Sequence, residues 1–151
     1  MAADQALHRL TVLLVTFQSA HCAPAMGKAL AAFPHIIVVD NDSADQTVEA
    51  FQRELPQARA IRNPKNLGFG AANNRGVHAA TTDFVLLLNP DCIIDEAAAH
   101  ALVSCADQFP DASAVGPQLI DRHGHPDRSY SMGATAWEGK GHSLAEGPTS
   151  V

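Results

Sequence analysis

Basic charge is scarce in this 151-residue chain: ten Lys and Arg stand against sixteen Asp and Glu, a formal balance of -6, with no polybasic run. Neutralising a row of phosphates needs such a run, so nucleic acid is not an expected partner. Cysteine is sparse too. Cys22, Cys92 and Cys105 form no CxxC pair, which argues against a disulfide framework or a four-cysteine zinc site and suits buried thiols in a reducing compartment. Aromatic residues make up only 5% of the chain while Ala, Val, Leu and Ile abound, which favours an aliphatic core between helices and a sheet over an all-β sandwich. The longest apolar runs, Leu10 to Val15 and Phe84 to Leu88, are strand-sized, and the N-terminus has no basic-then-apolar leader. The expected location is cytoplasmic, with room for peripheral attachment at the inner face of the plasma membrane.

What is present alternates. Apolar runs at Leu10 to Val15, Ile36 to Val39, Ala58 to Ile61, Phe84 to Leu88 and Ala114 to Ile120 are separated by segments of helical character. That is the pattern of βαβ units around a mostly parallel sheet. Helices are predicted over Ala25 to Phe33, entered near Pro24; over Thr47 to Leu55, capped by Ser43 or Asp45 and stopped by Pro56; from Gly70 to Ala80; and from Glu96 to Gln108. One α/β domain is expected over residues 1–132 and a flexible, glycine-rich tail over 133–151.

In open α/β sheets ligands bind beyond the C-terminal ends of the strands, so the residues that follow each run are the ones to watch. Thr16, Phe17 and Gln18 follow the first run, and Asp40, Asn41, Asp42 and Ser43 the second. Thr16 and Asp40 should be neighbours, and a carboxylate there can accept the imide N–H of uracil or thymine. The same DNDS string also suits a turn and helix cap, and both readings stand at this point. After the third run, Asn63, Asn66, Asn73 and Asn74 surround Gly68 and Gly70 at a helix start, where backbone N–H groups favour an anion. A nicotinamide fingerprint fails there because Asn73 stands where its third glycine belongs, and a P-loop fails for want of GK[ST].

The fourth run ends in Asn89-Pro90-Asp91. Pro90 stiffens the backbone where two oxygen-bearing side chains can face one ligand, and a hard divalent ion on a diphosphate needs only one or two protein oxygens. Taken alone, the tripeptide also reads as a strand-ending turn. His123-Gly124-His125 with Asp121 and Asp127 can be drawn as a metal cluster, but Gly124 and Pro126 favour a surface turn. No Ser-His-Asp or Cys-His arrangement follows from spacing.

Together, VTFQSA (15–20), IIVVDNDSADQT (36–47), NPKNLGFGAANNRG (63–76), FVLLLNPDCII (84–94) and VGPQLIDRHGHPDRS (115–129) resemble the family 2 glycosyltransferases, and more narrowly their rhamnosyltransferase-like branch. The resemblance implies an α/β fold of GT-A type, a mostly parallel nucleotide-binding sheet flanked by helices, ending here before the acceptor-binding half. It implies a dTDP- or UDP-linked sugar donor, a saccharide or lipid-linked acceptor in cell-surface polysaccharide synthesis, and inverting transfer. By the same resemblance Thr16 and Asp40 hold the base, with Phe17 and Asn41 beside them. Asn66, Gly68 and Asn74 shape the nucleotide pocket, and Asn89 and Asp91 occupy the DxD position, with Asp91 as ligand of Mg2+ or Mn2+.

The sequence departs from the wider family at Asn89, where many members carry Asp, and at Asn73, where many carry Arg. Nothing after Tyr130 resembles the family's acceptor half, so no general base is assigned, although Asp95, Glu96, Asp121 and Asp127 are carboxylates. Self-association or a partner chain is expected to cover the sheet edge which that half would shield. Two other readings are a nucleotide-sugar-binding remnant that does not transfer, and a nucleotidyltransferase. The latter calls for a basic glycine-rich loop after the first strand, where Gln18-Ser19-Ala20 stands instead.

Overall fold

A computed structural model describes residues 2–126. The predicted tail over 133–151 lies outside the described residues. The chain divides into a unit running through Val115 and a second beginning at Gly116.

In the first unit the elements are α1 (Ala2–His8), β1 (Leu10–Thr16), a single 3-10 turn (Ala20–Cys22), α2 (Ala23–Ala29), β2 (Ile36–Asp40), α3 (Thr47–Glu54), β3 (Arg59–Arg62), α4 (Phe69–Ala79), β4 (Phe84–Leu88) and α5 (Glu96–Gln108). The strands form one parallel sheet in the order β3-β2-β1-β4. β1 and β2 are buried at every position, as strands covered on both faces must be, which is why LTVLLVT and IIVVD show no polar alternation. β3 and β4 are the edges and stay partly exposed.

Side-chain alternation divides the core into two layers. Val12, Leu14, Ile36 and Val38 pack with Leu7, Met26, Leu30, Phe33, Phe51, Leu55, Ala99 and Val103. Leu13, Val15, Ile37 and Val39 pack with Ala72 of α4 on the other face. A glycine makes that second layer possible. A Cβ on Gly76 would lie 2.2 Å from Leu13 Cδ1, so α4 rests its backbone directly on β1.

The predicted helices are present with small shifts. Pro24 sits in the first turn of α2, where its missing N–H is no loss, and the helix ends at Ala29 rather than Phe33 because Leu30 leaves helical geometry (φ -105°, ψ 10°). Asp95 caps α5, its Oδ1 accepting from Ala98 N at 2.7 Å. α1 has no counterpart among the predicted elements; it buries Leu7 and lies against α5. Arg9 at its end donates to Asp83 at 2.8 Å and to both oxygens of Asp107 at 2.8 and 2.9 Å, tying the start of β1 to the segments flanking β4 and α5.

One predicted strand is absent. Ala114 to Ile120 pairs with no strand among the described residues; it makes one isolated antiparallel bridge, Ile120 with Pro126, and leaves Ile120 66% exposed. Pro117 lacks the N–H that a ladder needs. Nearby, Asp121 Oδ1 accepts from the N–H groups of His123 at 2.7 Å and His125 at 2.9 Å, closing a turn and holding the Asp121 carboxyl below its ordinary range. The His123-His125 segment is that surface turn, and among the described residues no three metal-ligating side chains converge.

The free edge of β4 carries Leu87, 52% exposed, beside Leu13 of β1. This is the apolar edge for which cover was expected. Gly76→Ala is expected to destabilise the fold by about 1–3 kcal/mol through overpacking. Urea denaturation checks it, and the loss in a double variant with Leu13→Ala should fall short of the sum of the single losses, because the second change makes room for the first.

Candidate functional site

The strand order places a switch point between β1 and β4: the chain leaves β1 toward β2 on one side and returns through α4 to pair β4 on the other. Loops diverge there, and a cleft of about 430 Å3 opens beyond the C-terminal ends of the strands. Its walls are Val15 to Ser19 from the first loop, His21 and Cys22 from the 3-10 turn, Asn41, Asn66 and Phe69, and Asn89 to Asp91 after β4. Thr16, which lies inside the first of these spans, is itself fully buried.

Behind the cleft a polar network fixes the loops. Thr16 and Asp40 are register partners on β1 and β2, and Thr16 Oγ1 donates to Asp40 Oδ1 at 3.2 Å. The same oxygen accepts from Ser43 Oγ at 2.6 Å, and Asp40 Oδ2 accepts from Ser43 N at 3.0 Å. Ser43 Oγ in turn accepts from Gln18 N at 2.9 Å, and Thr47 Oγ1 from Ser19 N at 2.8 Å. Asp45 accepts from the hydroxyl and N–H of Thr47 and from Ala20 N, and the Thr47 hydroxyl chiefly holds its carboxyl below the ordinary range. The helix-cap reading of this segment is therefore met in part: Asp45 serves the first turn of α3, whose N-cap residue is Gln46.

Two non-glycine residues here hold positive φ, Gln18 at 50° and Asp42 at 70°. Such backbone persists only where surrounding contacts fix it, and it concentrates at binding sites. The Ser43 bonds to Gln18 and Asp40 are those contacts.

Asn41 organises the third wall. It is buried, its Nδ2 donates to Asn66 Oδ1 at 2.8 Å, and its Oδ1 accepts from Asn63 Nδ2 at 3.0 Å and Leu67 N at 2.9 Å. Arg75 donates to Asn63 Oδ1, which extends the network to α4. Gly68, at φ 81° and ψ 162°, turns the chain into α4 through a region that side chains rarely enter.

Across the cleft, Asn89 and Asp91 follow β4 in a turn closed by Cys92 N donating to Asn89 O at 3.0 Å. Both side chains are exposed and line the cleft. The Cys92 thiol lies 3.6 Å from Asp91 Oδ1. Burial first, then the Asp91 charge, push the thiols of Cys22 and Cys92 up, so both stay protonated near neutrality.

Of the site residues read from the sequence, the cleft gathers Phe17, Asn41, Asn66, Asn89 and Asp91. Thr16 and Asp40 are buried among the loops that support it, and Gly68 sets the direction of α4. Asn74 is elsewhere, in a separate hollow beside β3. Sequence reasoning missed His21, Cys22, Ser19 and Phe69 as lining residues. Phe69 was within reach, flanked by Gly68 and Gly70 at the helix start. His21 and Cys22 enter the wall only through the 3-10 turn after β1, which no periodicity signals.

Asn41→Ala leaves Asn63 Nδ2 and Leu67 N without their partner and removes one of the two donors to Asn66 Oδ1, which keeps Gly68 N. The expected loss is about 2 kcal/mol or more. Hydrogen exchange at the Leu67 amide, whose acceptor is removed, should quicken about tenfold or more, while amides in the centre of β1 change only with global stability.

Three comparisons bear on this geometry. The glycosyl transferase family 2 model matches residues 11–144. An N-acetylglucosaminyl-diphospho-decaprenol L-rhamnosyltransferase of Mycobacterium tuberculosis is 30% identical over 100 residues, covering 59% of this chain and 33% of that one. The chain thus spans about a third of that curated relative's length. Among solved structures, S. aureus TarS superposes with a TM-score of 0.57 at 21% identity, covering 74% of this chain and 24% of that one. M. tuberculosis glucosyl-3-phosphoglycerate synthase, crystallised with Mn2+, uridine diphosphate and glucosyl-3-phosphoglycerate, gives 0.54 at 20%, covering 79% and 45%. These two likenesses concern the fold alone. With a parallel α/β sheet of GT-A type and a family model matched over most of its length, the chain belongs to glycosyl transferase family 2.

Proposed function

We propose that this chain binds a nucleoside diphosphate sugar and forms the donor side of a glycosyl transfer site. The observation that carries the reading is the cleft at the β1–β4 switch point, with an exposed aromatic ring on one wall and Asn89-Asp91 on the other. Phe17, 47% exposed, offers a face on which a base stacks. Asp40, buried behind this wall, fixes the loop against which a uracil or thymine base would lie: its carboxylate holds Ser43 through both oxygens, and Thr16 braces it. Asn41 and Asn66 line the cleft between these two walls, where the ribose and diphosphate would run. Gly68 assists by opening α4 there, and Asn74 has no direct contact in this arrangement.

The Asp91 carboxylate suits a hard divalent ion, Mg2+ or Mn2+: it is exposed in the cleft, pairs with no cation among the described residues, and is flanked by thiols that stay protonated. Asn89 adds a neutral oxygen. When bound, such an ion supplies neutralisation of the departing diphosphate. The Mn2+–uridine diphosphate complex of the glucosyl-3-phosphoglycerate synthase supports a metal of this kind.

In the reaction, an acceptor hydroxyl oxygen attacks the anomeric carbon as the bond to the diphosphate breaks, its proton passing to a base, with inversion at carbon. Asp91 is the one carboxylate among the described lining residues, and a group committed to the leaving diphosphate does not serve as base. This chain's cleft accordingly supplies binding and leaving-group stabilisation. The name of the rhamnosyltransferase relative supports rhamnose as the sugar and a lipid-linked saccharide as the acceptor, and the proposal extends this to a dTDP-linked donor and a place in cell-surface polysaccharide synthesis. No helix among the described residues is long and apolar enough to cross a membrane.

Calorimetric titration with UDP, dTDP and GDP, with and without Mg2+ or Mn2+, is the test. Metal-enhanced binding of UDP or dTDP over GDP is expected, with the enhancement removed by Asp91→Asn. Phe17→Ala should weaken binding by about 1–3 kcal/mol, the usual worth of a base stacked on an aromatic ring. A folded chain that binds none of these nucleotides overturns the proposal.

A further inference from the structure

A second hollow, of about 490 Å3, lies beside the β3 edge under the exposed face of α4 and shares no residue with the cleft. It is lined by Arg59, Ile61, Asn74, Arg75, His78 and Ala79. Its chemistry is the reverse of the chain's. In a protein of formal charge -6, two arginines and a histidine line this hollow together with the apolar Ile61 and Ala79, and no carboxylate is among the described lining residues.

The cations here are also left uncompensated. Arg9, Arg53 and Arg62 each pair with a carboxylate. Arg59 and Arg75 donate instead to neutral oxygens, Arg59 Nη1 to Ala79 O at 3.3 Å and Arg75 to Asn63 Oδ1, and neither has an ion pair among the described residues. Those bonds orient the two forks and leave most of their five donors each unused. The contact of His78 Nδ1 with Asn74 O at 2.6 Å requires the proton on Nδ1, so Nε2 can donate to an anion only in the imidazolium form. Oriented guanidiniums with spare donors, in a hollow that also carries the apolar Ile61 and Ala79, match a phosphoryl group better than a carboxylate, because its three terminal oxygens serve several donors at once.

We propose that this hollow is a phosphoryl-anion site distinct from the cleft, taking a phosphate or diphosphate group whose attached portion rests on Ile61 and Ala79. The group comes either from a soluble phosphate compound or from an anionic phospholipid headgroup. Arg59 and His78 are the contacts open to substitution. Arg75 is left intact because it also braces Asn63 and, through it, Asn41.

The test titrates the 15N-labelled full chain with inorganic pyrophosphate and follows amides over residues 59–61 and 74–79 together with the His78 ring signals. Saturable shifts are expected there, independent of any at residues 17–19 or 89–91, which report the cleft. The double variant Arg59→Gln/His78→Gln should bind about tenfold or more weakly with an unchanged unfolding midpoint, and Arg59→Lys, which keeps the charge but loses the fork, should bind more tightly than the double variant and more weakly than the parent. Co-sedimentation with phosphatidylglycerol against phosphatidylcholine vesicles separates the sources. Sedimentation with the anionic vesicles alone, lost in the double variant, identifies a headgroup site. Pyrophosphate saturation without sedimentation identifies a soluble ligand. Shifts confined to the cleft, or a double variant that binds pyrophosphate as tightly as the parent, overturn the proposal.

Discussion

The close approach of α4 to β1 at Gly76 and Leu13 is the constraint on which the rest of the structure turns. The crossover from β3 must pass over β2 and β1 to add β4 on the far side, and it does so on the face opposite α2 and α3. A side chain at position 76 would lift the helix from the sheet and with it the packing of Ala72 against the second core layer. The reversal of winding that this crossover completes is what leaves a gap between the loops after β1 and β4. The cleft follows from the topology before any particular side chain is considered.

Side chains then make the cleft a defined shape. Loops rich in Asn, Asp and Ser are common turn formers, and nothing in their composition requires rigidity. Here the rigidity comes from reuse of acceptors. Asp40 serves Thr16 and both donors of Ser43, Asn41 serves three residues of the loop between β3 and α4, and Asp45 serves α3 and the 3-10 turn. Buried polar groups satisfied by one another in this way resist rearrangement, because freeing one leaves others without partners. The positive φ angles of Gln18 and Asp42 are held by the same bonds.

Charge is distributed unevenly over this scaffold. Among the described residues the cleft lining carries one carboxylate, Asp91, whose neighbouring thiols are kept neutral by burial and by its own field. The hollow along β3 carries the opposite sign. An acidic chain that gathers unpaired guanidiniums in one depression has a local field there that its net charge does not reveal.

Much of the fold was legible along the chain. The four apolar runs that became β1 to β4 and the bounds of α5 follow from periodicity, a capping Asp95 and Pro110, because those signals are local. Ala114 to Ile120 misled because an apolar run becomes a strand only beside a partner edge, and α1 was missed because its helix is secured by packing Leu7 into the core. The sequence by itself determined the residue types that follow each strand, and hence that Phe17, Asn41, Asn66, Asn89 and Asp91 would stand at one edge. Only the tertiary structure decided that Thr16 and Asp40 brace the cleft from behind, that Asn74 faces a different hollow, and that His21 and Cys22 join the wall. Strand ends are set by local pattern, whereas the direction a side chain faces depends on crossover path and helix rotation, which arise from contacts between residues far apart in sequence.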